Sequence, residues 1–163
     1  GDGLDVRIDP VDSTTMYGAI QTGLNMERVE YYPPSQTLGH VTIMNNALGG
    51  GVDATWRQKI LIDAADRNIL FTNYQDIFKS TNQGQTWTNQ TNGSLGNGTE
   101  AIAYLYQSKS DPNILVTGWF GQMRRSTNGG DSWSVITDPG IYVSDHSSLI
   151  ISPTDPNKMW ACG

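Results

Sequence analysis

The chain has 163 residues, enough for one domain with a real core, and a net charge of −6 with a pI near 4.6. Its ten Lys and Arg form no patch, which argues against a nucleic-acid partner, since phosphate binding needs clustered cations. No apolar run approaches the ~20 residues of a membrane span, so no transmembrane segment is expected.

Apolar residues make up 37% and glycines number 18, with many Asn, Ser and Thr, which suits short strands joined by tight turns. The chain-order reading bears this out as a repeat. Residues 6–17 (VRIDPVDSTTMY), 60–71 (ILIDAADRNILF), 104–116 (YLYQSKSDPNILV) and 149–160 (LIISPTDPNKMW) each place an apolar strand, a polar turn and a second apolar strand in that order. Aligned on Thr14, Asn68, Asn113 and Asn157, they are spaced by 54, 45 and 44 residues. A second phrase, STNQGQTW at 80–87 and STNGGDSW at 126–133, recurs at 46 residues, so both phrases belong to one unit.

The unit starting near residue 99 is the clearest. Strand A is expected at Ala101–Tyr106, a turn at 108–113, strand B at Ile114–Thr117, strand C at Gln122–Ser126 and strand D at Ser132–Thr137. Four short strands in ~45 residues is the size of one β-propeller blade. The expected fold is therefore all-β: blades of four antiparallel strands, about three and a half of them, at 1–48, 49–98, 99–141 and a half-blade at 142–163. Blade 1 joins its last two strands through Tyr31–Gln36 and lacks the second phrase. Propellers close with roughly 4 to 8 blades, so the chain reads as a partial propeller, completed by further blades of the same polypeptide or another subunit.

The second phrase falls between strands C and D. Its Ser bonds nearby amides, its Asn closes an Asx turn, its Gly supplies φ > 0 and its Trp anchors the hairpin. Ser80, Asn82, Gly84 and Trp87 in one copy, and Ser126, Asn128, Gly130 and Trp133 in the other, resemble the Asp-box, or BNR repeat, of sialidases, sortilin-like propellers and xyloglucanase-type glycoside hydrolases. Asn stands where that family has Asp, which keeps the turn bonds and removes the charge. Asp111-Pro112-Asn113, Asp155-Pro156-Asn157, Ile8-Asp9-Pro10 and Trp56 extend the likeness to sortilin-like propellers of secreted proteins from Bacteroidetes-type bacteria. The resemblance implies a secreted or cell-surface location.

It also implies where ligands meet such a fold: the face opposite the hairpins, built from B–C loops and D–A crossovers. Tyr74 and Trp119 occupy matching loop positions in consecutive blades, where aromatics either stack on sugar rings or pack between blades. Gln21, Asp76 and Arg57 lie on the same expected face, and Asp145-His146 is either an acid/base pair or a capping turn. Asp2, Asp5 and Asp76 are the other carboxylates within reach, and a glycosidase needs two at roughly 5–9.5 Å. A sialidase would need several arginines there, and only Arg57 is well placed, so that activity is disfavoured. His40 and His146 make no zinc motif and Cys162 is the lone cysteine, so no metal or other cofactor is expected. Three sequons begin at Asn89, Asn92 and Asn97 in one loop. The function these residues imply is a non-catalytic module that binds protein or glycan or serves as architecture, with a segment of a propeller glycoside hydrolase, xyloglucanase-like more than sialidase-like, as the alternative.

Overall fold

A computed structural model describes residues 3–20, 25–45, 58–93, 95, 102, 104–119, 122–136 and 148–162. Among these there are fourteen strands and no helix. Strands β1 (Gly3–Ile8), β2 (Thr15–Ile20), β3 (Asn25–Tyr32) and β4 (Thr37–Asn45) form a first antiparallel sheet in sequence order. A second sheet runs β5 (Ile60–Ile62), β6 (Leu70–Asn73), β7 (Ile77–Ser80) and β8 (Thr88–Asn89). A third runs β9 (Tyr104–Gln107), β10 (Leu115–Trp119), β11 (Gln122–Ser126) and β12 (Ser134–Ile136). The last is a single hairpin, β13 (Ser148–Ile151) with β14 (Met159–Cys162).

The turn between the first two strands of every sheet is built by one network, and its residue types are what the repeat preserves. An acceptor side chain opens each turn: Asp9 Oδ1 takes the amides of Val11 and Asp12, and Asp63 Oδ1 those of Ala65 and Asp66. Ser108 Oγ takes the amides of Ser110 and Asp111, and Ser152 Oγ that of Thr154. Three residues further on, Asp12, Asp66, Asp111 and Asp155 each accept the amide two positions ahead at 2.9–3.0 Å. These are Asx and Ser turns, in which a short side chain stands in for a backbone carbonyl. The Thr14 hydroxyl and amide, bonding the charged form, hold the Asp12 carboxyl below its ordinary range.

Strand limits follow from which amides the turns consume. Ile114, expected to open strand B, gives its N–H to Asp111 O, so pairing starts at Leu115 and runs on to Trp119. Ser132, expected to open strand D, gives its N–H to Asn128 Oδ1, so β12 starts only at Ser134. Strand C lies at Gln122–Ser126 as expected.

The sheets stack through apolar faces. Tyr17, Ala19, Met26, Ile43 and Met44 of the first pack on Ile60, Leu70, Tyr74 and Phe78 of the second. Phe71 and Ile77 of the second meet Ile102, Leu105 and Leu115. Tyr104, Val116 and Met123 of the third meet Leu149 and Ile151 of the hairpin. Each such side chain, fully buried, is worth roughly 1.5–3 kcal/mol. The Tyr104 ring lies across Gly118, where a Cβ would fall 2.1 Å from the phenol oxygen, and this burial pushes the phenol up to about 12. Polar links reinforce the stack: Ile60 N–H donates to Asp5 Oδ2, Arg7 Nε donates to Ile60 O, and Arg67 pairs with Asp9 at 3.1 Å. Gln107 closes the next junction, accepting from Ala64 N–H and donating to Asp63 Oδ2 at 2.6 Å.

Candidate functional site

In an up-and-down sheet the first and third connections share one end, and the second connection and the sheet-to-sheet crossovers share the other. The two ends differ in chemistry.

The first end carries the repeated eight-residue phrase. Ser80 Oγ accepts the amides of Gly84 (2.8 Å) and Asn82 (3.3 Å) and donates to Asn82 Oδ1. Asn82 Oδ1 also accepts from Thr86 N–H, and its Nδ2 donates to Thr86 Oγ1. Ser126, Asn128, Gly130 and Ser132 repeat every one of these bonds. Gly84 and Gly130 sit at φ +85° and +89°, where a Cβ is strained. Gln83 N–H and Gly129 N–H hang each hairpin on the carbonyls of Asn68 and Asn113 in the turn of its own sheet. All polar groups of the phrase's Ser and Asn side chains are thus engaged within the protein, and the indole N–H groups of Trp87 and Trp133 donate to carbonyls of Ile43 and Gly130.

At the opposite end, Tyr74 is 1% exposed and lies in the core, edge-on to Phe78 at 5.8 Å, so its ring is not presented to a ligand. Burial raises its phenol above the ordinary value. The reason is the tightness of the loop: only residues 74–76 join β6 to β7, and Tyr74 N–H already bonds Asp76 O at 2.9 Å. Asp76 is structural in this geometry. Its carboxylate accepts Thr91 Oγ1 at 2.5 Å, Asn89 Nδ2 at 2.8 Å and Gly93 N–H at 2.8 Å, which ties the loop after β8 to the loop before β7. Two sequon residues, Asn89 and Thr91, are consumed by this network, whereas Asn92 is exposed. Trp119 closes β10 opposite Gln122, and its side chain lies outside the described residues. Gln21, Arg57, Asp145 and His146 also lie outside them, as does Asp2. Asp5 is held by Ile60 N–H and by Arg7 at 3.3 Å.

The remaining arginines are occupied too. Arg28 pairs with Glu30, Arg67 with Asp9, Arg125 bonds Asn157 Oδ1, and Arg124 bonds Gln122 Oε1. His40 meets Glu27 at 3.1 Å, and among the described residues no group of His, Cys, Asp and Glu could hold a metal ion. The sequence reading passed over one concavity. An open groove of about 390 Å³ runs between the first strands of the first three sheets, lined among others by Arg7, Lys59, Leu61, Tyr106 and Gln107. Its lining takes consecutive residues of β5 and β9, so strand alternation in the sequence carries no signal for it.

No family model matches the chain, and no curated protein does. Among solved structures it is similar to the Niastella koreensis GH74 enzyme, with 20% identity and a TM-score of 0.59 over 84% of this chain. The chain spans 22% of that enzyme's length. With the sheets described above, this likeness defines the fold: three four-stranded β-propeller blades and half of a fourth. No described helix is long and apolar enough to cross a membrane.

Proposed function

We propose that the chain is a non-catalytic segment of a secreted or cell-surface β-propeller, binding glycan or protein on the face of the B–C loops and crossovers. The observation that supports this reading is the state of the carboxylates on the described part of that face. Asp76 is bound by three donors and Asp5 by an amide and Arg7, so both carboxylates are engaged in holding the protein's own backbone and side chains. The eight-residue hairpins are read as Asp-boxes with an architectural role, since their polar side chains are consumed internally. The ligand contacts fall to Trp119, Gln21, Arg57, Asp145 and His146, with further blades of the same polypeptide or another subunit completing the ring.

The likeness to a GH74 enzyme favours a second reading, a segment of a propeller glycoside hydrolase of the xyloglucanase kind with its carboxylates shared with other blades. Affinity electrophoresis on xyloglucan and other β-glucans, paired with a reducing-end assay, separates the two. The first reading expects retarded migration that Trp119→Ala abolishes, and no release of reducing ends. Release of reducing ends that Asp145→Asn or His146→Ala abolishes would overturn it in favour of the hydrolase.

A further inference from the structure

An asparagine followed by glycine has a side-chain amide open to attack by the next backbone nitrogen, because glycine puts no side chain in the way. The chain has three such pairs, Asn92-Gly93, Asn97-Gly98 and Asn128-Gly129, and the second lies outside the described residues. Asn92 and Asn128 are both exposed, so access to water does not separate them. Their bonding does. Asn128 Oδ1 accepts from Ser126 Oγ and Ser132 N–H, and its Nδ2 donates to Ser132 Oγ, so the side chain is turned into its hairpin and held there. Gly129 N–H donates to the carbonyl of Asn113 at 3.0 Å, a neutral acceptor that takes no proton from it. The Asn92 side chain makes no hydrogen bond to any described residue, and only its backbone N–H is tied, to Asn89 Oδ1 at 2.8 Å. Asn92 sits at φ +43° and Gly93 at φ +75°, with no atom within 4 Å of where a Gly93 Cβ would stand. Gly93 N–H donates to Asp76 Oδ1 at 2.8 Å, a carboxylate and therefore a group that can take up a proton.

We propose that Asn92 is a self-modification site, at which the Gly93 nitrogen displaces ammonia from the side-chain amide with Asp76 as proton acceptor. The Gly93 N–H gives its proton to the Asp76 carboxylate as the nitrogen adds to Asn92 Cγ. The Cγ–Nδ2 bond then breaks, and ammonia leaves with the proton that Asp76 held. The product is a succinimide ring, which one water opens. Opening at Cγ gives an aspartyl residue, and opening at the backbone carbonyl gives an isoaspartyl residue. One amide and one water enter, one carboxylic acid and one ammonia leave, and nothing is oxidised or reduced. The consequence falls on the loop that Asp76 ties together. In the succinimide Gly93 has no N–H, so Asp76 keeps only Thr91 and Asn89 as donors. After opening, a new carboxylate stands beside Asp76, and the isoaspartyl form lengthens the backbone by one carbon. The tie between the loop before β7 and the loop after β8 therefore carries its own slow, irreversible release, whatever ligand that face takes.

Peptide-resolved mass spectrometry of the chain, incubated in mildly alkaline buffer, reads amide loss at Asn92 and Asn128 in the same molecules. In urea neither side chain is held, and the two are expected to react at matching rates. In the folded chain Asn92 is expected to lose its amide roughly tenfold or more faster than Asn128, which reacts only from an opened hairpin. Equal loss at the two positions of the folded chain, or faster loss at Asn128, overturns the proposal. Asp76→Asn then tests the proton acceptor. Its amide oxygen still accepts the Gly93 N–H but takes up no proton, so loss at position 92 slows while loss at Asn128 stays as it was. A merely structural Asp76 predicts the reverse, because a loosened loop reacts faster. Unchanged or faster loss at position 92 therefore overturns the role given to Asp76. Circular dichroism checks that the variant folds, and the comparison of Asn92 with Asn128 needs no variant.

Discussion

The hairpins at 80–87 and 126–133 have the same internal hydrogen bonds and different neighbours. In blade 2 the Trp87 indole reaches out of its hairpin to Ile43 O of blade 1 at 2.7 Å, and a Cβ on Gly84 would sit 2.7 Å from Ile43 Cδ1 and 2.9 Å from its Cβ. In blade 3 the Trp133 indole turns back to Gly130 O of its own hairpin at 3.0 Å, and a Cβ on Gly130 would stand 3.1 Å from the Phe71 ring edge of blade 2. The phrase fixes the turn because the bonds of its leading Ser and Asn side chains are local. The attachment to the preceding blade is set by what that blade offers. Blade 1, with the longest outer strands, gives a carbonyl and a branched side chain at close range, and blade 2 gives an aromatic edge and the Lys79 ammonium, which donates to Gly129 O and pairs with Asp131.

That difference sets an order of expected effects. Gly84→Ala combines a disfavoured φ with a collision near the Ile43 backbone, and a loss of ~3–4 kcal/mol is expected in urea unfolding. Gly130→Ala meets only a ring edge, and a loss of ~2 kcal/mol is expected. Equal costs would show that Ile43 yields freely and that blade 1 does not grip the hairpin. Next, Trp87→Phe strands a carbonyl between blades and is expected to cost ~1.5–2.5 kcal/mol, against less than ~1 kcal/mol for Trp133→Phe, whose partner lies in its own hairpin. Ser80→Ala and Ser126→Ala sharpen the other half of the comparison. Each leaves a buried glycine amide without an acceptor, so ~1–2 kcal/mol is expected for both, and agreement between the two within error. A twofold disparity would mean the turn is not autonomous. Smallest of all, Asn82→Asp and Asn128→Asp keep the acceptor for the Thr86 or Ser132 amide, and the hydroxyl can reverse its role as donor. A change within ~0.5 kcal/mol is expected at pH 7.

The same locality explains what was legible in the sequence. Turns built from short polar side chains reveal themselves in one line of text, so the A–B turns, the C–D hairpins and β11 could be placed from Asp, Ser, Asn and Gly alone. Strand limits were displaced where the turn consumed an amide that composition cannot assign, as at Ile114 and Ser132. The candidate site was less legible because it depends on where side chains point. Tyr74 looks like a face aromatic until the three-residue loop turns its ring inward, and Asp76 looks like a free carboxylate until Asn89, Thr91 and Gly93 close on it from 13 to 17 residues away. For Tyr74 the structure selects packing over presentation, and both outcomes turn on long-range contacts of a short loop. The inter-blade groove went unnoticed for a related reason, since its lining is spread over the first strands of three blades.

The central claim is that the phrase makes an autonomous turn, which in blade 2 becomes a staple to the blade before it. The most direct measurement is hydrogen exchange at the two indole N–H groups, followed by NMR on one sample. Trp87 Nε1–H is released only when blades 1 and 2 part, while Trp133 Nε1–H, bonded three residues back, is released by opening of its own hairpin. The account predicts that Trp87 exchanges slower by roughly tenfold or more, and that Gly84→Ala removes the difference. Equal rates in the unsubstituted chain, or a slower Trp133, would contradict it.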